Sequence, residues 1–178
     1  MAKCEKILVA GFSGSGKSSF LKEIEKSVPD SNWTFNDLDL LLLKKHKSQE
    51  IACLIEEHGW EKFRLWERQT LESWLKEEGK AVLSLGGGSL SQMIFDLYKG
   101  SSKVRFCYLH APFEDCWERL NLEGAEERPL VKLGKGELHR IYEERLKIFK
   151  QISWKIENPK KTDLSLLARH FWEQVSLS

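Results

Sequence analysis

A glycine-rich segment at residues 11–18 constrains this chain more than any other feature. It reads Gly-Phe-Ser-Gly-Ser-Gly-Lys-Ser, and it lies between an apolar run at residues 7–10 and a stretch with helical spacing of apolar residues. A short apolar run of this kind is typical of a buried parallel strand. The spacing G-x-x-x-x-G-K-S between a strand and a helix is the pattern of a phosphate-binding loop. The segment therefore predicts a parallel sheet covered by helices, with an anion site at the carboxyl end of its first strand.

The residue types of this loop indicate what it binds. Glycines let the backbone curl so that successive N–H groups point inward at phosphate oxygens, and the following helix adds the positive end of its dipole. Lys17 would reach the β- and γ-phosphates, and Ser18 would ligate Mg²⁺. The predicted nucleotide contacts of the loop are Gly11, Gly14, Ser15, Gly16, Lys17, Ser18 and Ser19. The motif predicts a nucleoside triphosphate and leaves the phosphoryl acceptor open.

Composition excludes several other classes of protein. The 178 residues include 28 Lys or Arg and 27 Asp or Glu, a net charge of +1, which argues against binding nucleic acid through bulk charge. No apolar stretch approaches the roughly 18 residues of a membrane span. The first residues run directly into a predicted strand, so we expect no secretory signal. The four cysteines lie far apart, without zinc-site spacing. We expect one cytoplasmic domain over residues 1–178, monomeric, with no nucleic-acid or membrane partner.

Strand-like and helix-like segments alternate along the rest of the chain. Further strands are predicted at residues 33–35, 81–85, 104–109 and 154–156. Helices are predicted at residues 18–27, 48–58, 60–77, 89–98 and 164–175, and Ser89 is expected to cap the fourth of them. Two more helices are predicted before the last one: the first begins at residue 112, and the second, a long helix, ends near residue 153. This alternation predicts a three-layer α/β/α fold with a five-stranded parallel sheet.

Several short motifs, in order, resemble the shikimate kinase family, whose members are P-loop enzymes similar to nucleoside-monophosphate kinases. Besides the phosphate loop, they are F-x-D-x-D at residues 35–39, F-R-x-x-E at 63–67, G-G-G at 86–88, R-P-L at 128–130 and an arginine at 145. The resemblance implies a P-loop kinase fold with substrate-binding helices at about residues 38–78 and a mobile lid at about 122–136. It also implies ATP- and Mg²⁺-dependent phosphorylation of the 3-hydroxyl of shikimate, a step of the chorismate pathway to aromatic amino acids.

The resemblance also implies a role for each matching residue. Lys17, Asp39 and the lid residue Arg128 are expected to be catalytic, with Asp39 helping to deprotonate the attacking hydroxyl. Arg119, Arg128 and Asn158 are expected on the nucleotide, and Ser18 and Asp37 at the metal. The expected shikimate contacts are Asp39, Phe63, Arg64, Gly86, Gly87, Gly88 and Arg145.

The two arginines suit an acidic acceptor, since Arg64 and Arg145 can bind a carboxylate through bidentate, charge-assisted hydrogen bonds. Glu67, one helical turn after Arg64, can orient that guanidinium. The sequence departs from the family pattern at Leu43, Trp60, Phe149 and Ser153. Two alternatives therefore stay open. The acceptor is another hydroxylated acid, as in gluconate-type kinases, or a nucleotide; or the chain is a nucleotide-binding module without activity.

Overall fold

Within residues 5–29, 31–122 and 130–176, which the computed structural model describes, one sheet of five parallel strands forms the centre of the fold. The strands are β1 (Lys6–Ala10), β2 (Trp33–Asp37), β3 (Lys80–Ser84), β4 (Val104–His110) and β5 (Trp154–Glu157). Their order across the sheet is β2-β3-β1-β4-β5, so the first strand is central. The predicted five-stranded parallel sheet is confirmed.

Helices cover both faces of the sheet, which confirms the three-layer arrangement. They are α1 (Lys17–Lys26), α2 (Leu38–His46), α3 (Ile51–Lys76), α4 (Gln92–Tyr98), α5 (Phe113–Leu122), α6 (Lys135–Phe149) and α7 (Leu164–Ser176). Alternate residues of β1 point to opposite faces, as the two-residue period of a strand requires. Ile7 and Val9 pack with buried residues of α1 and α7, whereas Leu8 packs in the larger core with α2 to α6.

The segment after β2 differs from the sequence prediction. The strand continues two residues beyond its predicted end at residue 35, to Asp37, and Asp39 lies in the first turn of α2. Asp37 is the N-cap of that helix, and its side chain accepts a hydrogen bond from the backbone N–H of Asp39 at 3.0 Å. An aspartate at this position satisfies a helix N–H that has no partner inside the helix.

The two helices predicted on either side of residue 59 together form α3, and they meet at a kink where the backbone is not helical. Gly59 has φ 79° and ψ 161°, which interrupts the helical backbone at the predicted boundary. A residue without a Cβ adopts this conformation at little cost.

The prediction that Ser89 caps the fourth helix is wrong. Ser91 is the N-cap of α4, and its side chain accepts a hydrogen bond from the N–H of Ile94 at 3.3 Å. The helix begins two residues later than predicted because the chain first turns after β3, where the N–H of Ser89 donates to the carbonyl of Gly86 at 3.1 Å. The hydroxyl of Ser89 is thereby left for another partner.

The predicted lid at residues 122–136 falls partly outside the described residues. Residue 122 ends α5, a short 3₁₀ turn covers Val131–Leu133, and α6 begins at Lys135. The predicted catalytic residue Arg128 lies outside the described residues. No helix in the described part of the chain is long and apolar enough to cross a membrane.

Candidate active site

The phosphate loop joins β1 to α1 and adopts a conformation that depends on two of its glycines. Gly14 has φ 79° and Gly16, the N-cap of α1, has φ 90°. A Cβ at Gly14 would also lie 2.5 Å from the carbonyl oxygen of Cys116 on α5. Backbone strain and steric conflict therefore both require glycine at Gly14, which explains part of the motif in physical terms.

Lys17 is buried beneath this loop, at 8% exposure. Its Nζ donates hydrogen bonds to the carbonyl oxygens of Gly11 at 2.9 Å and Phe12 at 2.8 Å. Burial lowers the pKa of Lys17 from 10.5 to about 8, and the carboxylates of Asp39 and Asp37 oppose that shift. A partly desolvated ammonium group is a strong electrostatic partner for an incoming anion.

A first cavity of about 420 Å³ opens in front of the phosphate loop at the carboxyl ends of the strands. Most of the predicted nucleotide contacts line it, together with the Asp37–Asp39 pair. The lining residues are Ser13, Gly14, Gly16, Lys17, Ser18, Ser19, Asp37, Asp39, Ser84, Leu85, Gly86, Gly87, Arg119, Asn158, Lys161, Thr162 and Leu164. Gly11 and Ser15, also predicted as nucleotide contacts, are buried and do not line this cavity. The position of the cavity follows the rule for ligand sites in open parallel sheets.

Asn158 and Arg119 connect the loop after β5 to the phosphate loop. The buried Asn158 side chain donates to the carbonyl of Ser15 at 2.8 Å. Arg119 on α5 donates to the carbonyl of Asn158 at 3.1 Å and to that of Gly14 at 3.4 Å. Both predicted residues therefore brace the phosphate loop as well as line the first cavity.

Three oxygen-bearing side chains, those of Ser18, Asp37 and Asp39, line the first cavity. Ser18 Oγ donates to Asp37 Oδ2 at 2.8 Å, and Asp39 is the second residue of α2. Burial raises the pKa of Asp39 from 3.8 to about 6, with further contributions from the nearby carboxylates of Asp37 and Glu67. The pKa of Asp39 thus lies close to neutral pH, which suits a general base.

A second cavity, of about 410 Å³, adjoins the first one. The predicted acceptor contacts other than Arg145 line it. Its lining comprises Ser13, Ser18, Asp39, Leu43, Gln49, Glu50, Ile51, Ala52, Ile55, Trp60, Phe63, Arg64, Glu67, Gly86, Gly87, Gly88, Leu120 and Leu130. Asp39 and Ser18 line both cavities, so a molecule in each would meet at these side chains.

Arg64 and Arg145 approach the glycine segment after β3 from different helices. A Cβ at Gly88 would lie 2.7 Å from Nη2 of Arg64 and 2.5 Å from Nη2 of Arg145, so both guanidinium groups meet there. Arg145 donates to the carbonyl of Gly87 at 2.6 Å and lies over the ring of Phe12. Burial, and then the charge of Arg64, lower the pKa of Arg145 to about 10. Two like charges this close form a site that favours an anion.

Glu67, Trp60 and Phe63 surround Arg64. Glu67 is buried and forms an ion pair with Nη1 of Arg64, in the arrangement expected from the sequence. The guanidinium carbon lies 5.1 Å from the centre of the Trp60 ring, within cation–π range. Trp60 and Leu43, two of the departures from the family pattern, thus line the second cavity.

The sequence prediction missed some of the lining residues. Ser13, inside the phosphate motif, lines both cavities and packs against Gly87, but its position carries no residue requirement in the motif. Lys161 and Thr162 line the first cavity from the loop after β5. Lys161 has a positive φ of 69°, a backbone feature that no local pattern of residue types indicated.

Known proteins of similar sequence and structure include members of one family of kinases. The family model described as shikimate kinase matches residues 13–176. A shikimate kinase from Dictyoglomus turgidum is 38% identical over 141 residues, which cover 78% of each chain. The crystal structure of shikimate kinase from Aquifex aeolicus is 26% identical, covers 96% of both chains and has a TM-score of 0.78.

A further solved structure supports the fold. Shikimate kinase from Acinetobacter baumannii, in complex with shikimate, has a TM-score of 0.82 over 98% of this chain and 94% of that one, at 21% identity. The fold of this chain is therefore one that is found in solved proteins.

Proposed function

Because the chain belongs to the shikimate kinase family, we propose that it transfers the γ-phosphoryl group of ATP to the 3-hydroxyl of shikimate. The products are shikimate 3-phosphate and ADP. The observation that carries the proposal is the position of Asp39 where a phosphate-binding cavity meets a cavity with an arginine pair beside it.

ATP fits the first cavity by the chemistry of its lining. The phosphate loop supplies N–H donors and the N-terminus of α1, which together bind phosphate oxygens. Lys17 donates its hydrogen bonds to loop carbonyls here, and it exchanges them for β- and γ-phosphate oxygens when the triphosphate binds. Arg119 and Asn158 bind on the side of the base, where they already brace the loop.

Ser18 and Asp37, in the lining of the first cavity, suit Mg²⁺. Ser18 Oγ and Asp37 Oδ2 are hard oxygen ligands that already lie 2.8 Å apart. Among the described residues no group of three or more His, Cys, Asp or Glu side chains could hold a metal ion. In phosphoryl-transfer sites Mg²⁺ usually takes one or two protein oxygens together with phosphate and water oxygens. When bound, the ion neutralises charge on the phosphates.

Shikimate fits the second cavity because its carboxylate and its hydroxyl groups need different partners. Arg64 and Arg145 bind the carboxylate near Gly88, while Phe63 forms an apolar wall for the ring. With the carboxylate bound there, the hydroxyl groups at the far side of the ring point toward Asp39 and the phosphate loop. Orientation of this kind converts an encounter of two substrates into a reaction within one complex.

Asp39 accepts the proton of the attacking hydroxyl. Its pKa of about 6 leaves it ionised at neutral pH and raises its basicity above that of an ordinary carboxylate. Lys17 neutralises charge that develops on the transferred group. Arg128, outside the described residues, stays a sequence-based proposal for the same task.

The alternatives make different predictions in a single assay. Purified protein with ATP and Mg²⁺ is given shikimate, gluconate or a nucleoside monophosphate, and ADP release is measured with each. We expect release with shikimate alone. Release with gluconate or a nucleotide in place of shikimate would overturn the proposed acceptor, and ATP binding without release on any acceptor would favour a non-enzymatic nucleotide-binding module.

A further inference from the structure

Glu67 is a carboxylate in an almost fully buried position on α3, with 2% of its surface exposed. Burying a charge is costly unless the group is paired and hydrogen-bonded. Both of its oxygens have partners: Oε2 pairs with Nη1 of Arg64, and Oε1 accepts a hydrogen bond of 2.5 Å from Oγ of Ser89. Glu67 therefore connects Ser89 to an arginine of the second cavity.

Ser89 does not line that cavity; it ends the turn that follows β3, in which its N–H donates to the carbonyl of Gly86. The N-cap of α4 is Ser91, so the Ser89 hydroxyl has no capping role. The backbone around it is shaped to admit the contact with Glu67. A Cβ at Gly86 would lie 2.5 Å from Ser89 Oγ and 2.7 Å from Glu67 Oε1, so the absence of a side chain at Gly86 leaves room for both atoms.

We propose that Ser89 is a positioning residue for acceptor binding, acting through Glu67 to orient the guanidinium of Arg64. The inference rests on the proposed function, since it assumes that Arg64 binds the acceptor carboxylate. A carboxylate with one oxygen bound to a hydroxyl cannot turn about its last torsion without losing that bond. The other oxygen is then kept on Nη1 of Arg64, which leaves the remaining donors of the guanidinium for the acceptor.

The face of Trp60 restrains Arg64 from a second side, at 5.1 Å from the ring centre. A cation–π contact attracts the guanidinium to the ring, but it does not fix which of its N–H groups face the acceptor. The ion pair with Glu67 fixes one of them, because Nη1 is held on Oε2 of Glu67. Ser89 thus contributes an angular restraint that Trp60 does not supply.

The test compares Ser89→Ala with Ser89→Thr and with the matched control Ser91→Ala. We expect Ser89→Ala to raise the KM for shikimate about five- to twentyfold, since a hydrogen bond to a charged group is lost. The KM for ATP and kcat should change less than about twofold. Ser89→Thr, which keeps a hydroxyl, should restore most of the affinity. Ser91→Ala removes a helix cap instead, so it should lower the melting temperature and leave the KM for shikimate unchanged.

A double-mutant cycle separates positioning from a general structural effect. In an Arg64→Ala background, Ser89→Ala should raise the KM for shikimate no further, because the group that it orients is absent. Equal effects of Ser89→Ala in both backgrounds, or an unchanged KM in the single variant, would overturn the inference while leaving the proposed function in place.

A measurement that needs no enzymatic activity distinguishes failure of the proposed function from failure of the role proposed for Ser89. Side-chain NMR of Arg64 in the protein alone should show a well-ordered guanidinium that becomes mobile in Ser89→Ala and not in Ser91→Ala. If the wild-type protein releases no ADP with shikimate, the proposed function fails. The NMR comparison then still decides whether Ser89 orders Arg64, and equal mobility of Arg64 in all three proteins would overturn that.

Discussion

Asp37 and Asp39 are joined by a hydrogen bond from the backbone N–H of Asp39 to Oδ1 of Asp37, at 3.0 Å. The second carboxylate oxygen of Asp37 accepts from Ser18 of the phosphate loop. The side chain of Asp37 thus caps helix α2, accepts from Ser18 of the phosphate loop and helps to fix the position of the proposed base. The two aspartates of the D-x-D motif therefore lie next to each other but have different roles: Asp37 caps the helix and contacts Ser18, and Asp39 is the proposed base.

Replacing Asp39 with asparagine should lower turnover while leaving acceptor binding largely intact. The amide cannot accept the hydroxyl proton, and loss of a general base costs roughly 10²- to 10⁴-fold in kcat. The measurement is steady-state ADP release, with shikimate binding followed by calorimetry. In the wild type, kcat/KM for shikimate should fall as the pH drops below about 6, where Asp39 becomes protonated. A kcat for the variant near that of the wild type would remove Asp39 from the proposed role.

The same substitution should stabilise the protein at alkaline pH. Because folding raises the pKa of Asp39 from 3.8 to about 6, the folded state holds this proton more tightly, and stability falls as the pH rises through that window. Ionised Asp39 then destabilises the wild type by roughly 1–3 kcal/mol above pH 6. Thermal melts should show Asp39→Asn above the wild type at pH 8, with a difference that shrinks toward pH 4. An equal difference at both pH values would contradict this origin.

The kcat/KM for ATP should fall above about pH 8. The pKa of Lys17 is lowered to about 8 in the free protein, so its ammonium loses a proton in a range where ordinary lysines stay charged. Bound triphosphate favours the charged form, and therefore kcat/KM for ATP should decline with rising pH before kcat at saturating ATP does. Both pH profiles can be recorded at constant ionic strength. A flat kcat/KM for ATP up to pH 10 would mean that Lys17 stays charged without the nucleotide.

A methyl group at Gly88 should impair acceptor binding more than stability. The new Cβ of Gly88→Ala would meet the guanidinium ends of Arg64 and Arg145, which can move aside because both are ends of flexible side chains. We expect the KM for shikimate to rise at least about tenfold, as the loss of charge-assisted hydrogen bonds implies, with the melting temperature little changed.

The matched control for that substitution is Gly100→Ala, on the exposed turn after α4. A Cβ there has no heavy atom within 4 Å and the backbone is not left-handed, so kinetics and melting temperature should both stay near the wild type. If Gly88→Ala bound shikimate as the wild type does, the two arginines would not act together at that glycine.

The phosphate loop and the Arg64–Glu67 pair could be predicted from the sequence because each is formed by residues that are close together in the chain. The strand, turn and helix around the phosphate loop are encoded by an apolar run, glycines and helical spacing within a few residues of one another. The same holds for the ion pair of Arg64 with Glu67, which share one face of α3 at a spacing of three residues.

The choice between Ser89 and Ser91 shows where local pattern fails. Both serines precede the same apolar helix, and both are good capping residues. The decision depends on a backbone turn after β3 and on the buried carboxylate of Glu67, which offers Ser89 a charged partner from a different helix. Neither feature is visible in the residues adjacent to the serines.

The sequence by itself determined the sheet and the phosphate loop, since each follows from residue type and short spacing, and the other groups expected at the site came from an order of motifs that resembles the shikimate kinase family. Only the tertiary structure decided that Arg64 from α3 and Arg145 from α6 meet at Gly88, that Asp39 lies between two cavities, and that Ser89 contacts Glu67. The physical reason is that helical and strand periodicities act over a few residues. The contacts between distant side chains are set by how whole helices pack on the sheet.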